Sequence, residues 1–351
     1  MKGVFFIILL LTSTVLGQSG RLKPTPTPTP RSIAGPSVST GPKGTLLPGP
    51  KAGLKPVAKQ IENDETIKVS SVLVPIPVSV LDPRGRSVAS LKLADFNLKV
   101  AGKAAEISEI SRSETPIRLG MLFDNSSSVT IAREFEKEAA VRFFKRVIRP
   151  RIDRAALFSV ADQTIREQDL TADVTLLTRA IELFPPPKGA TALLDGIVDV
   201  AEYLTSTNGR RVIVIVSDGE DTISYKALED VVKMLLKSDC QVYVVNTKQF
   251  ENYKRTGERG GTANLRALVA ERRMLELAEQ TGGAVYSPIN EDELEAAFAE
   301  ISAELSQQYI LNYYPEDDAG SNGDFRSLSV GVNGLPGVSV RTRKGYYVKK
   351  P

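Results

Sequence analysis

The chain has 351 residues, a formal net charge of +3, one cysteine and no histidine. Without histidine there is no Ser-His-Asp triad, no histidine-based zinc motif and no imidazole acid–base step. The lone Cys240 excludes disulfide frameworks within the chain and thiolate zinc clusters. Its place between a helical segment and a strand pattern suits a small core hydrophobe, with a reactive or intermolecular thiol as the alternative.

In chain order, Lys2, the apolar run Val4–Leu11 and the stretch Thr12–Gly17 read as a signal peptide over residues 1–17, cleaved before Gln18. So short an apolar run does not span a bilayer as a stable anchor, and no cysteine follows the cleavage position for lipoprotein processing. The expected location is outside the cytoplasm: periplasm, cell surface or secreted. Residues 18–65 read as a disordered linker, because the Pro-Thr repeat Pro24–Pro30 favours polyproline II and later Pro and Gly residues prevent helix or sheet. Residues 18–60 hold seven Lys or Arg and no acid; with Lys2 also set aside, residues 61–351 carry a net −5. A basic tail on a mildly acidic folded part argues against a nucleic-acid surface on the domains. The tail is either a solvated spacer or a contact for anionic envelope polymers.

Residues 66–115 form an N-terminal β segment. Val72, Val74, Ile76, Val78 and Val80 alternate as one buried face, while Pro75 and Pro77 fall on the other and suggest an edge or bulged strand. After the turn Asp82–Gly85, Phe96, Leu98 and Val100 resume the alternation. From 116 to 305 strands and helices alternate. Strand patterns cover Leu119–Phe123, Ala155–Val160, Arg211–Val216, Gln241–Asn246 and Val285–Tyr286. Helical patterns cover Ile131–Ile148, Val174–Phe184, Thr191–Tyr203, Lys226–Leu236, Leu265–Gln280 and Glu291–Leu305. Residues 248–262 are polar and Gly-rich and read as a flexible loop, with a border to the site described below as the alternative. The fold class is therefore α/β, a doubly wound, mostly parallel sheet covered on both faces. Residues 306–351 return to short strands at Tyr309–Tyr314, Leu328–Val332, Val338–Thr342 and Tyr346–Val348. Each β flank is too short to bury a core alone. The expectation is that they pair into one small β domain around the inserted α/β unit; separate packing on that unit is the alternative.

Asp124-Asn125-Ser126-Ser127-Ser128 directly follows the apolar run Leu119–Phe123. A carboxylate and two hydroxyls at every second position of a loop after a strand suit a hard cation with about six oxygen ligands. Two later segments join it: Thr191 follows Pro185-Pro186-Pro187 at a helix start, and Asp218 follows the apolar strand that ends at Val216. Open α/β sheets bind ligands at the carboxyl ends of their strands, so these three loops can share one face. The competing reading is a set of helix caps without a metal.

On these residues the segment from about 117 to 305 resembles a von Willebrand factor type A domain with a complete metal-ion-dependent adhesion site. Asp124, Ser126 and Ser128 match the family's D-x-S-x-S element, Thr191 its threonine and Asp218 its late aspartate. The resemblance implies that the serines and threonine touch the metal, that the aspartates act largely through water, and that a partner's Glu or Asp completes the shell. Ser127 stands where many members carry glycine. The wider layout adds Val-Ser-Val-Leu-Asp-Pro-Arg-Gly at 78–85, Ala-Asp-Phe-Asn-Leu at 94–98, Tyr-Ile-Leu-Asn-Tyr-Tyr-Pro at 309–315 and Arg-Lys-Gly-Tyr-Tyr at 343–347. It is similar to the secreted VWFA-related family expanded in acidobacteria.

The function expected is an exported, metal-dependent protein-binding or adhesion module. It would hold Mg²⁺ (or Mn²⁺ or Ca²⁺) at Asp124, Ser126, Ser128, Thr191 and Asp218 and capture a protein or surface ligand through an Asp or Glu. The alternative is a metal-independent structural or assembly protein of the cell envelope, using its β flanks and the pairs Tyr313-Tyr314 and Tyr346-Tyr347. An enzyme is poorly served, because no general base is placed beside the hydroxyls. The partner's identity and the oligomeric state are not encoded in any motif.

Overall fold

The computed structural model describes residues 73–112, 115–259, 264–315 and 322–349, so the signal-peptide and linker expectations lie outside the described residues. The opening alternation becomes β1 (Val74–Leu81), followed by β2 (Phe96–Val100), β3 (Lys103–Ala105) and β4 (Glu109–Arg112). The α/β unit then runs β5 (Ile117–Asp124), α1 (Arg133–Val147), β6 (Arg154–Val160), β7 (Thr164–Thr171), α2 (Val174–Glu182) and α3 (Leu193–Thr205). It continues through β8 (Arg210–Ser217), α4 (Leu228–Lys237), β9 (Cys240–Asn246), α5 (Lys248–Thr256), α6 (Leu265–Thr281), β10 (Val285–Tyr286) and α7 (Glu291–Gln307). Four strands close the chain: β11 (Tyr309–Tyr313), β12 (Phe325–Val332), β13 (Ser339–Arg341) and β14 (Gly345–Tyr347).

The central sheet has the order β10-β9-β8-β5-β6-β7 and is parallel except for β7, which runs antiparallel to β6. Its strands are continuously apolar because both faces are covered. Leu119, Met121 and Phe123 of β5 enter one core with α1, α2, α5 and α7, while Leu122 enters a second core with α3, α4 and α6. Between them Gly120 lets α3 sit directly on β5: an added Cβ would stand 2.4 Å from Val200 Cγ1. The chain leaves β5 toward β6 on one side and returns as β8 on the other. The switch point, and with it the ligand crevice of such sheets, lies at the carboxyl ends of β5 and β8.

The two β flanks pair with each other. One antiparallel sheet has the order β13-β1-β11-β4, with Ile76 opposite Leu311, and the other the order β14-β12-β2-β3, with Leu328 opposite Val100. Ile76, Val78 and Val80 of the first sheet and Phe96, Leu98 and Leu328 of the second share one apolar core. Tyr313 and Tyr346 pack edge to face inside it, whereas Tyr314 is exposed. At the junction with α7, the buried Gln308 accepts from Arg210 Nη2 at 2.5 Å and donates to Ser79 Oγ (3.0 Å) and Gln241 Oε1 (3.2 Å).

Four sequence expectations change. Residues 248–256 are the helix α5, not a loop: Phe250 is fully buried, and Gly257 ends the helix in the left-handed region, its N–H donating to Tyr253 O at 2.8 Å. The polar strand β7 was not anticipated, because it is an edge strand with an exposed Ile165 and no alternating apolar face. The helices expected from Ile131 and Thr191 begin at Arg133 and Leu193, which leaves Thr191 on a loop, while Ser126 caps a single 3-10 turn at Ser127–Val129. Finally, β1 is an edge only over its prolines. β13 pairs with Ser79–Leu81 alone, and in place of a strand Thr342 Oγ1 donates to Pro77 O (2.9 Å) and Arg343 Nη2 to Pro75 O (3.0 Å). Among the described residues no helix is long and apolar enough to cross a membrane.

Candidate metal centre

The carboxyl ends of the adjacent strands β5 and β8 carry Asp124 and Asp218, and backbone hydrogen bonds lace the neighbouring loops to them. Lys188 N donates to Asn125 O (2.9 Å), Ser127 N to Gly189 O (3.3 Å) and Thr222 N to Thr191 O (2.8 Å). Thr191 N in turn donates to Thr222 Oγ1 at 3.0 Å. The three sequence-predicted loops therefore share one face. Asp124, Ser126, Thr191 and Asp218 are buried and Ser128 is exposed, so Ser128 stands at the rim.

Asp124 is held on both oxygens. Ser126 N donates to Oδ1 (2.9 Å), and Ser217 Oγ donates to Oδ2 (2.7 Å) while accepting from Gly219 N (2.9 Å). The Asp124–Ser126 bond folds the loop back and brings Ser126 Oγ to 3.0 Å from Ser128 Oγ. Asp218 Oδ1 accepts from Glu220 N (3.0 Å), which fixes its carboxylate at the strand end. Below the loop the buried Arg133 donates to Asp124 O (3.3 Å) and Pro185 O (3.3 Å) and lies 5.0 Å over the Phe184 ring.

Burial dominates the electrostatics. It pushes the Asp124 carboxyl up to about 6, with the charge of Asp218 adding to the rise and the Ser217 and Ser126 hydrogen bonds opposing it. Behind it, complete burial pushes Glu136 up to about 8, and burial also raises Glu251, whose Oε1 accepts from Ala132 N at 2.8 Å. Burial thus raises the cost of charge on each of these acids, so a cation placed among them would favour their ionised forms.

The donor set fits a small divalent cation. Metal–oxygen bonds of about 2.1 Å at right angles put neighbouring oxygens about 3.0 Å apart, and Ser126 Oγ and Ser128 Oγ stand 3.0 Å apart. Among the described residues no trio of His, Cys, Asp or Glu has metal-binding geometry, so a cation here would draw on the hydroxyls beside the carboxylates. With three neutral hydroxyls among the five side chains around it, a cation would keep part of its charge for an incoming anion.

Sequence reasoning missed two residues here. Ser217 buttresses Asp124, and its position directly before Asp218 at a strand end was a usable signal. Lys248 had none. Its Nζ reaches Glu220 Oε1 (2.8 Å) and Asp218 Oδ2 (3.4 Å) from the first turn of α5, a contact made only by the fold. Burial opposes its charge, but Glu220 and Asp218 outweigh that and lift its pKa above the usual lysine value.

No curated protein matches the chain. Several solved structures are similar to about half of the chain at low identity. The PilB minor pilin of Streptococcus sanguinis is 12% identical with a TM-score of 0.42, covering 55% of this chain and 62% of the pilin. The conserved hypothetical protein BatB of Bacteroides thetaiotaomicron is 16% identical with a TM-score of 0.41, over 53% of this chain and 97% of BatB. Proximal thread matrix protein 1 of the mussel byssus, with a zinc-occupied MIDAS motif, is 16% identical with a TM-score of 0.46, over 60% of this chain and 50% of that one. The family model of the von Willebrand factor type A domain matches residues 119–280. The segment that gathers Asp124 and Asp218 at the switch point of the sheet thus lies within the match to the von Willebrand factor type A domain.

Proposed function

We propose that the chain is an exported binding module in which Asp124, Ser126, Ser128, Thr191 and Asp218 hold a divalent cation, Mg²⁺ or else Mn²⁺ or Ca²⁺, and present it to an Asp or Glu of a protein or surface ligand. The observation that carries the reading is the Ser126–Ser128 hydroxyl pair at 3.0 Å beside the buried Asp124. The cation supplies a focused positive charge that an acidic group can meet. The protein supplies position. Ser217 and the Ser126 amide orient Asp124, the Glu220 amide orients Asp218, and the Thr222 contacts fix the loop that bears Thr191. Binding rather than catalysis is supported by the chain's lack of histidine and by carboxylates engaged in holding loops rather than aimed at a substrate. Export rests on Lys2, the apolar run Val4–Leu11 and the following small-residue stretch.

The test is thermal unfolding of the full chain with Mg²⁺ or Mn²⁺ against chelator, with Asp124→Ala alongside. Cation at about 100 times its dissociation constant adds roughly 2.7 kcal/mol, a rise of roughly 5–10 °C for a domain of this size. Retention on immobilised poly-glutamate but not poly-glutamine, only with the cation, is the expected second result. A wild-type protein that neither shifts with the cation nor binds poly-glutamate in its presence overturns the reading.

A further inference from the structure

Helix α6 carries two apolar stripes, and only one of them is covered. Ala270, Met274, Leu277 and Ala278 are buried, whereas Leu265, Leu268, Val269 and Leu275 are exposed on the opposite flank, Leu265 by 77%. The exposed stripe begins beside the Asp218 loop. Strands β8, β9 and β10 are parallel, so α6 starts at their carboxyl ends and runs back to begin β10. Gly219, the residue after Asp218, lies directly on α6: its carbonyl accepts from Arg273 Nη1 at 3.0 Å, and an added Cβ would stand 2.3 Å from Met274 Cε. Residues 265–272 therefore extend for about 12 Å of helix beyond that contact, on the side of the metal loops. Between them and residues 220–222 runs a groove of about 570 Å³, with Leu265 and Val269 on one wall and Thr222 on the other. Thr222 is bonded to Thr191 itself, through Thr191 O (2.8 Å) and Thr191 N (3.0 Å), so the groove opens one residue away from the proposed cation ligands.

Charge chooses between occupants. The acids of the groove are engaged: Glu220 by Lys248 (2.8 Å), and Asp221 by Ser224 Oγ (2.5 Å) and Leu194 N (3.4 Å). Arg266 on the groove and Arg272 in the exposed stripe have no ion pair among the described residues. A segment that covers this face must bring acids together with apolar side chains. Residues 18–60 of the chain itself, with seven Lys or Arg and no acid, would bring like charge. A second copy docked through the same stripe would oppose Arg266 and Arg272 to themselves. We infer that the ligand is a protein segment of acidic–aliphatic character. Its Asp or Glu meets the cation, an aliphatic side chain a few residues along enters the groove on Leu265 and Val269, and a second acid meets Arg266. This specificity rests on the cation-binding reading above, and it favours proteins over acidic polysaccharides, which have no aliphatic side chain to place in the groove.

The experiment screens the labelled full chain, in Mg²⁺, on bead-bound heptapeptides with a central Asp and every other position randomised. Leu, Ile, Val or Met should be enriched at least about fivefold at one flanking position, with Asp or Glu enriched at another. The double variant Leu265→Ser, Val269→Ser should lose the aliphatic enrichment and Arg266→Gln the acidic one. Both should keep the cation-dependent rise in melting temperature, which also reports that these exposed substitutions leave the protein folded. A wild-type protein that shows this rise and binds poly-glutamate, yet selects no aliphatic residue, overturns the inference and leaves the cation reading standing. Aliphatic enrichment that survives in the double variant does the same. Failure of the melting shift and of poly-glutamate binding in wild type overturns both. A dimer in light scattering that Leu268→Ser dissociates gives the stripe to a second copy and also overturns the inference.

Discussion

Glu136 offers the sharpest test of the electrostatic picture. It sits in α1 behind Asp124, fully buried, with Oε1 lacking a hydrogen-bond partner among the described residues. Burial pushes its carboxyl from 4.5 up to about 8, only partly opposed by the nearby Thr247 hydroxyl and by Arg133. The folded protein therefore binds a proton that the unfolded chain releases above its ordinary pKa. Stability from this group is fully present below about pH 4.5, falls as pH rises, and levels off above about pH 8. At 1.36 kcal/mol per pH unit of separation, the loss is about 2–3 kcal/mol between pH 5 and 7 and about 5 kcal/mol by pH 9. Glu136→Gln keeps the shape and removes the titration. Urea unfolding of both proteins in chelator, from pH 5 to 9, should show the variant more stable than wild type at pH 8 and the gap closing toward pH 5. Asp124 and Glu251 shift in the same direction and remain in both proteins, so the difference reports Glu136 together with its charge coupling to those two acids. Parallel pH profiles for the two proteins refute the argument.

Two further outcomes follow from the geometry. Gly283→Ala should cost at least about 3 kcal/mol, because the added Cβ would stand 1.8 Å from the backbone oxygen of Val242; a wild-type urea midpoint would contradict it. Lys248→Met should tighten divalent-cation binding on the order of tenfold, about 1.4 kcal/mol. It removes a positive charge from beside Asp218 and leaves two carboxylates for the cation to compensate. The midpoint of the cation-dependent rise in melting temperature measures it, and an unchanged or higher midpoint concentration counts against the role of Lys248.

What could be read from the residues was whatever a short stretch specifies by itself. The parallel strands were legible because burial on both faces demands unbroken apolar runs such as Val212–Val216, and the D-x-S-x-S loop because its hydroxyls follow such a run directly. β7 was not, since its only claim to be a strand is the ladder offered by β6. α5 was hidden by its charges, although Phe250 and Tyr253 at helical spacing before Gly257 were a signal that could have been used. The pairing of the flanks was a guess from insufficient size, and its register came from partners far along the chain. Lys248 shows the same limit at the site: an ion pair between a helix start and a distant loop leaves no trace in local sequence.

The bond between Ser79 and Gln308 joins residues 229 positions apart. At a synthesis rate of about 5–20 residues per second, roughly 10–50 s separate the appearance of β1 from that of its partner β11. Throughout that interval Ile76, Val78 and Val80 have no partner strand from the C-terminal flank, and the α/β unit completes its own core only with α7, directly before β11. The sandwich is thus the last part to assemble, and an early strand left waiting is open to pairing with the wrong neighbour. Pro75 and Pro77 sit in that strand and remove two of the donors such a pairing would use. Late in assembly the same gap in the ladder is closed by Thr342 and Arg343, residues that reach β1 only once the chain is nearly finished.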